Sequence, residues 1–137
     1  MFFRVLSLFF LAIFLNYNIC DENLYKELDK FKFDAVFHLA AQSAGEPSYA
    51  DPYFDIQTNA YGTCLISKYC YEREISRLIY TSTVAIYGSV DGEIKESFPV
   101  SPDSVYGVSK YSGELFVQQW LNKSKTQYTI FRVYNTY

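Results

Sequence analysis

Four short apolar runs that alternate with three helix-like segments constrain the fold of this chain more than any other feature. Strands are predicted over residues 11–19, 34–39, 77–81 and 126–133, and helices over residues 22–31, 52–73 and 103–122. Pro52 suits the first turn of its helix, and Asp103 or Ser104 suits the cap of the last one. Residues 82–102 are rich in turn residues and are predicted to form a loop. Because strands that alternate with helices pair in parallel through right-handed crossovers, we expect an α/β fold with a parallel sheet.

The start of the last predicted helix carries a tyrosine and a lysine four residues apart, Tyr106 and Lys110. This spacing places both side chains on one helix face, about one turn apart. Tyrosine ordinarily keeps its proton until pH ~10, but an ammonium group ~4 Å away favours the phenolate. The pair is therefore a candidate acid–base group that needs neither a metal nor a histidine.

Two of the predicted strands end in small or hydroxyl-bearing residues. The run 77–80 leads into the three hydroxyls of Thr81-Ser82-Thr83, and the run 34–39 leads into Ala40-Ala41-Gln42. Ligands of open parallel sheets bind outside the carboxyl ends of the strands. These residues are therefore expected to line a binding site.

Taken together, the chain resembles the extended short-chain dehydrogenase/reductase family, specifically its NAD-dependent sugar-nucleotide epimerases and dehydratases. Five motifs match in order: His38-Leu-Ala-Ala-Gln42, Thr58-Asn-Ala-Tyr-Gly-Thr63, Thr81-Ser-Thr83 with Tyr87-Gly88, Tyr106-Gly-Val-Ser-Lys110 with Gly113-Glu114, and Phe131-Arg-Val-Tyr-Asn135. The resemblance runs from about residue 18 to residue 137. It implies a Rossmann-type doubly wound parallel sheet.

The resemblance also implies a role for individual residues. Tyr106 resembles the family's general base and acid. Lys110 resembles the lysine that binds the nicotinamide ribose and lowers the pKa of that tyrosine. Thr83 resembles the residue that binds the reacting sugar hydroxyl. The implied NAD-binding residues are Ile19, Ala40, Ala41, Gln42, Asn59, Thr81, Tyr106, Lys110 and Val133. The implied substrate-binding residues are Thr83 and Asn135, and no metal is implied.

The expected chemistry is reversible hydride transfer at the sugar C4, as in the UDP-glucose 4-epimerases, within nucleotide-sugar metabolism and polysaccharide biosynthesis. Dehydratases of this family carry an Asp-Glu pair directly after the active-site threonine. Here Val84 and Ala85 follow Thr83, and neither side chain can move a proton. Epimerase activity is therefore the first expectation, and a nucleotide-sugar reductase or decarboxylase is the alternative.

The chain does not contain every feature of the resembled family. The family begins with a strand and a G-x-x-G-x-x-G turn that holds the pyrophosphate at a helix N-terminus, whereas the first glycine here is Gly45. The match stops at Tyr137, before the family's substrate-binding region. We therefore expect an incomplete Rossmann domain, from a fragment or a truncated gene. A non-catalytic remnant or binding module is the second hypothesis.

The first residues allow two interpretations. Residues 1–15 are almost wholly apolar, with one charge at Arg4, as in a signal peptide. The alternative, which we favour, places a strand over residues 11–19, so that residues 1–17 form an apolar N-terminal segment and residues 18–137 the partial NAD-binding domain. A cytoplasmic protein is then expected, with secretion or membrane anchoring as the alternative.

Composition and charge narrow the expected partners. The net charge is −3 and the pI about 5.1, without a basic patch, so a nucleic-acid surface is not expected. The three cysteines have no metal-binding spacing and are expected to be reduced thiols. His38, the only histidine, is expected to be structural. A nucleotide sugar is the expected substrate, and the helices over residues 52–73 and 103–122 are the expected homodimer interface.

Overall fold

The computed structural model describes residues 12–134. Its regular elements are α1 (Glu22–Leu28), β1 (Ala35–His38), α2 (Gly45–Ala50), α3 (Pro52–Ile56), a π-helical segment (Gln57–Tyr61), α4 (Gly62–Glu72), β2 (Arg77–Thr83), a 3-10 turn (Val84–Tyr87), α5 (Val105–Leu121) and β3 (Gln127–Val133). The three strands form a parallel sheet in the order β1-β2-β3. This is an α/β fold with a parallel sheet, as the sequence predicts.

One face of the sheet is covered by α4 and α5. The core between these helices and the sheet is an apolar cluster with residues from both helices, from β2 and from the connection before β2: Ile66, Tyr69, Cys70, Ile75, Leu78, Tyr80, Val117 and Leu121. The opposite face shows side chains of alternate residues, including Phe37, Leu39, Phe131 and Val133, which are exposed. Successive residues of a strand point to opposite faces, so one sheet carries both a packed face and a bare apolar face.

The predicted strand over residues 11–19 is not formed in the described part of that range. Residues 12–18 have no regular structure, and a turn closes from the Asp21 amide to the Asn18 carbonyl. A strand needs a neighbour for its ladder of hydrogen bonds, but the Ile19 carbonyl instead accepts from the Tyr25 hydroxyl. Leu11 lies outside the described residues.

The remaining elements lie close to their predicted positions, with three additions. The predicted helix over 52–73 runs from Pro52 to Glu72 but contains the π-helical segment. The 3-10 turn lies in the segment predicted to be a loop, and helix α2 lies where no element was predicted. The prediction of a cap at Ser104 is confirmed, because its hydroxyl accepts from the Gly107 amide.

Candidate active site

The hydroxyl-rich end of β2 meets the first turns of α5. Thr83, the last residue of β2, accepts a hydrogen bond from the Ala85 amide and so caps the 3-10 turn that follows. The Thr83 hydroxyl also lies near the Tyr106 phenol: burial raises the pKa of Tyr106, and Thr83 opposes that rise. The structure thus brings together the predicted substrate-binding threonine and the predicted general base.

Lys110 lies inside the same site and is almost fully buried. Its Nζ atom donates to the Thr81 carbonyl at 2.6 Å and lies 4.4 Å from the centre of the Tyr80 ring. Burial lowers the pKa of Lys110 to about 8. The carboxylates of Glu114 and Asp55 oppose this shift, because they favour the charged ammonium. Lys110 therefore remains mostly protonated at pH 7 although it is enclosed by the protein.

The pKa of Tyr106 differs from the prediction made for it. Burial raises the pKa of this phenol, the Thr83 hydroxyl opposes the rise, and the Asp55 carboxylate adds to it. Lys110 was expected to lower the pKa, but its ammonium is directed at the Thr81 carbonyl and the Tyr80 ring. In this structure Tyr106 thus holds its proton more firmly than a free tyrosine.

Asn59 holds the chain segment that follows β1. Its Oδ1 atom accepts from the Gln42 amide at 2.9 Å, and its Nδ2 atom donates to the Gln42 carbonyl at 3.0 Å. Nδ2 also contacts Ser109 Oγ and Asp55 Oδ1. Asn59 lies in the π-helical segment, a distortion frequent at functional sites. Its amide is occupied by protein groups, so its contribution to a ligand passes through Gln42.

Three residues of this network were missed from the sequence: Ser48, Asp55 and Ser109. A signal for two of them was present, since Asp55 precedes Asn59 by four residues and Ser109 stands between Tyr106 and Lys110. Residues four apart on a helix are neighbours. Ser48 lies on the short helix α2, which was not predicted.

The other predicted site residues belong to several different elements. Ala40 and Ala41 follow β1, and Thr81 Oγ1 donates to the His38 carbonyl. Val133 pairs in register with Thr83, on the neighbouring strand. Ile19 packs its side chain against Gly62 of α4. Asn135 lies outside the described residues.

The residues at the carboxyl edge fit the dinucleotide that the resemblance implies. An ammonium group has three N–H donors, and Lys110 directs one at Thr81, which leaves donors for ribose hydroxyls. Ala40 and Ala41, directly after β1, carry short side chains that leave the backbone open to a close approach. The residues that would hold the cofactor here are Lys110, Ala40, Ala41 and Gln42.

Two further observations concern residues 12–134 only. Within this range no three His, Cys, Asp or Glu side chains form a cluster that could bind a metal. In the same residues, none of the helices has the length and apolar character that a membrane span requires.

Comparison with known proteins gives a consistent result. A sequence profile described as the NAD dependent epimerase/dehydratase family matches residues 4–137. The mouse dTDP-D-glucose 4,6-dehydratase is 36% identical over 126 residues, which are 90% of this chain and 36% of the mouse protein. A putative UDP-glucose 4-epimerase from Methanocaldococcus jannaschii is 30% identical over 128 residues, which are 92% of this chain and 42% of that protein.

Solved structures of such enzymes share the fold. The UDP-glucose 4-epimerase of Thermus thermophilus, solved in complex with NAD, superposes with a TM-score of 0.79 at 28% identity. That alignment covers 85% of this chain and 39% of the Thermus chain. The chain thus spans well under half the length of the proteins that it matches.

Proposed function

This chain belongs to the NAD dependent epimerase/dehydratase family, and on that premise we propose that it carries the acid–base centre of a nucleotide-sugar 4-epimerase. The observation that carries the proposal is the placement of Tyr106 beside Thr83, with Lys110 one turn further along α5. NAD, when bound, supplies reversible oxidation of the sugar 4-hydroxyl.

The protein's own residues position and move the proton. Thr83 accepts and donates through one hydroxyl, so it can hold the sugar hydroxyl against the phenol oxygen of Tyr106. The phenolate form of Tyr106 takes that proton as general base, and the phenol that results returns it as general acid. Because burial raises the pKa of Tyr106, formation of its phenolate needs a positive charge close by. Lys110, which is protonated at pH 7, is the candidate for that charge.

The residues after Thr83 support epimerisation over dehydration. Loss of water from a sugar needs one group to remove a proton and a second to protonate the leaving hydroxyl. Val84 and Ala85, which begin the 3-10 turn after Thr83, offer neither group. The relatives include both 4,6-dehydratases and 4-epimerases, so this position supplies the distinguishing argument.

The experiment is a product assay on the chain with NAD and either UDP-glucose or dTDP-glucose. We expect the 4-epimer of the sugar, with no 4-keto-6-deoxy product. Tyr106→Phe should reduce the rate at least ~100-fold, because general acid–base catalysis contributes roughly 10²–10⁴-fold. Tyr111→Phe, on the same helix, is the matched control and should retain the rate. A 4-keto-6-deoxy product, or no turnover of either sugar, would contradict the proposal.

A further inference from the structure

Asp55 is a fully buried carboxylate to which the proposed chemistry assigns no role. It lies on α3 with no exposed surface, and no lysine or arginine among residues 12–134 forms an ion pair with it. Its Oδ1 atom accepts from Ser48 Oγ at 2.6 Å and from Asn59 Nδ2 at 3.0 Å. Its Oδ2 atom is buried and has no hydrogen-bond partner within residues 12–134. Burying a carboxylate without a cation, and with one oxygen unpaired, costs stability, so this group calls for an explanation.

The bonds of Asp55 lead directly to both sides of the proposed centre. Asn59, which Asp55 holds, binds the amide and the carbonyl of Gln42 after β1. The same Asn59 amide donates to Ser109 Oγ, on the turn of α5 between Tyr106 and Lys110. One carboxylate therefore orients the amide that joins the cofactor-side segment to the helix of the acid–base pair.

We propose that Asp55 is a positioning residue of this site, which fixes Gln42 and Ser109 through Asn59 and whose carboxylate also acts electrostatically on Lys110 and Tyr106. The inference rests on the proposed function, because it assigns Asp55 a part in that acid–base centre. Asp55 touches neither reacting group in the described structure, so its action is through orientation and charge.

Three other titratable groups lie near Tyr106 and Lys110. They are His38 from β1, Tyr80 from β2 and Glu114 from α5. Glu114 is paired with Arg132 through two hydrogen bonds, whereas Asp55 has no cation of its own among the described residues. The Asp55 carboxylate raises the pKa of Lys110 and of Tyr106. Asp55 thus favours the charged lysine and the protonated tyrosine together.

The charge and the bonds of Asp55 can be separated by two substitutions. Asp55→Asn keeps an oxygen for Ser48 and Asn59 and removes the charge, while its NH₂ group replaces Oδ2, which has no partner among the described residues. Ser48→Ala keeps the charge and removes one donor. Asp34→Asn is the control, since it removes an equal charge at an exposed position.

The first measurement is an NMR titration of the Lys110 Cε resonance, identified by its loss in Lys110→Met. We expect Asp55→Asn to move the midpoint below that of the parent chain, where the pKa is about 8. Ser48→Ala and Asp34→Asn should leave it in place. An unmoved midpoint in Asp55→Asn, or an equal shift in Ser48→Ala, would overturn the electrostatic role.

The second measurement is hydrogen exchange of the Gln42 amide, which Asn59 protects. Asp55→Ala should accelerate this exchange at least ~5-fold, because a lost buried hydrogen bond changes an equilibrium by about that factor. Asp55→Asn should not accelerate it. Equal protection in the parent chain and in Asp55→Ala would overturn the positioning role.

Neither measurement requires NAD or a sugar, so the two proposals fail separately. An inactive chain with a shifted Lys110 midpoint would reject the epimerase and retain the role of Asp55. An active chain that depends on Tyr106 but shows no shift in Asp55→Asn would reject the role of Asp55 and retain the epimerase.

Discussion

His38 illustrates how one buried side chain makes stability depend on pH. Its ring is stacked on Tyr80 with 5.3 Å between centroids, and Nε2 forms a 2.9 Å hydrogen bond with Thr63 Oγ1. Burial lowers its pKa from 6.5 to about 4, and the charge of Lys110 adds to the effect. Both contacts suit a neutral imidazole in the core, which agrees with the structural role expected from the sequence.

The lowered pKa predicts a loss of stability in mild acid. The unfolded chain takes up the His38 proton near pH 6.5, while the folded chain resists it down to about pH 4. The contribution is therefore complete above pH 6.5 and is lost as the pH falls from 6.5 to 4, by on the order of 3 kcal/mol. His38→Gln should flatten this part of the curve, measured as free energy of unfolding in urea. Parallel curves for the two proteins would contradict the assignment.

At the scale of elements, the sequence correctly predicts the features that depend on neighbouring residues. The apolar runs of β1, β2 and β3 and the Ser104 cap of α5 depend on neighbouring residues, and each was found within a few residues of its predicted place. The π-helical segment contains Asn59, whose side chain bonds to Gln42 and Ser109. A sequence read alone does not contain such distant contacts.

The same limit applies to the candidate site. The spacing of Tyr106 and Lys110 correctly places them on one helix, but the direction of the ammonium is set by Thr81 and Tyr80 on another element. The predicted strand over 11–19 failed for a related reason. Its apolar residues suit a strand, but the pairing partner that would select that structure is not indicated by the segment itself.

Gly107 lies where α5 closely approaches the 3-10 turn. A Cβ atom at this position would lie 2.6 Å from the Ala85 carbonyl oxygen, a backbone atom that cannot move without displacing the turn. Gly107→Ala should therefore lower the free energy of unfolding by about 1–3 kcal/mol and slow turnover, because Tyr106 moves away from Thr83.

Gly45→Ala is the matched control for this substitution. Gly45 lies at the start of α2, and a Cβ atom there would meet nothing within 4 Å. Alanine favours helix over glycine by roughly 0.5–1 kcal/mol, so this variant should be as stable as the parent or slightly more so. Urea unfolding of both variants provides the comparison, and equal losses would show that the contact at Gly107 is not the cause.

At the scale of the whole molecule, two apolar surfaces remain uncovered in the described chain. One is the bare sheet face with Phe37 and Phe131. The other is formed by exposed side chains of α3, the π-helical segment and α5: Tyr53, Ile56, Tyr61, Val108, Leu115 and Phe116. Exposed apolar surfaces of this kind mark interaction sites. The two surfaces therefore offer competing explanations for any self-association of the chain.

We expect the helical surface to be the homodimer interface, and one pair of substitutions tests this. In a two-fold interface each position occurs twice, so a charge at Leu115 is introduced on both sides and is desolvated on association. Leu115→Glu should raise the dimer dissociation constant at least ~10-fold in sedimentation equilibrium, equivalent to about 1.4 kcal/mol. Phe131→Glu places the same charge on the sheet face and should leave the constant unchanged. If Phe131→Glu dissociates the protein and Leu115→Glu does not, the chain associates through its sheet, and the helical interface is wrong.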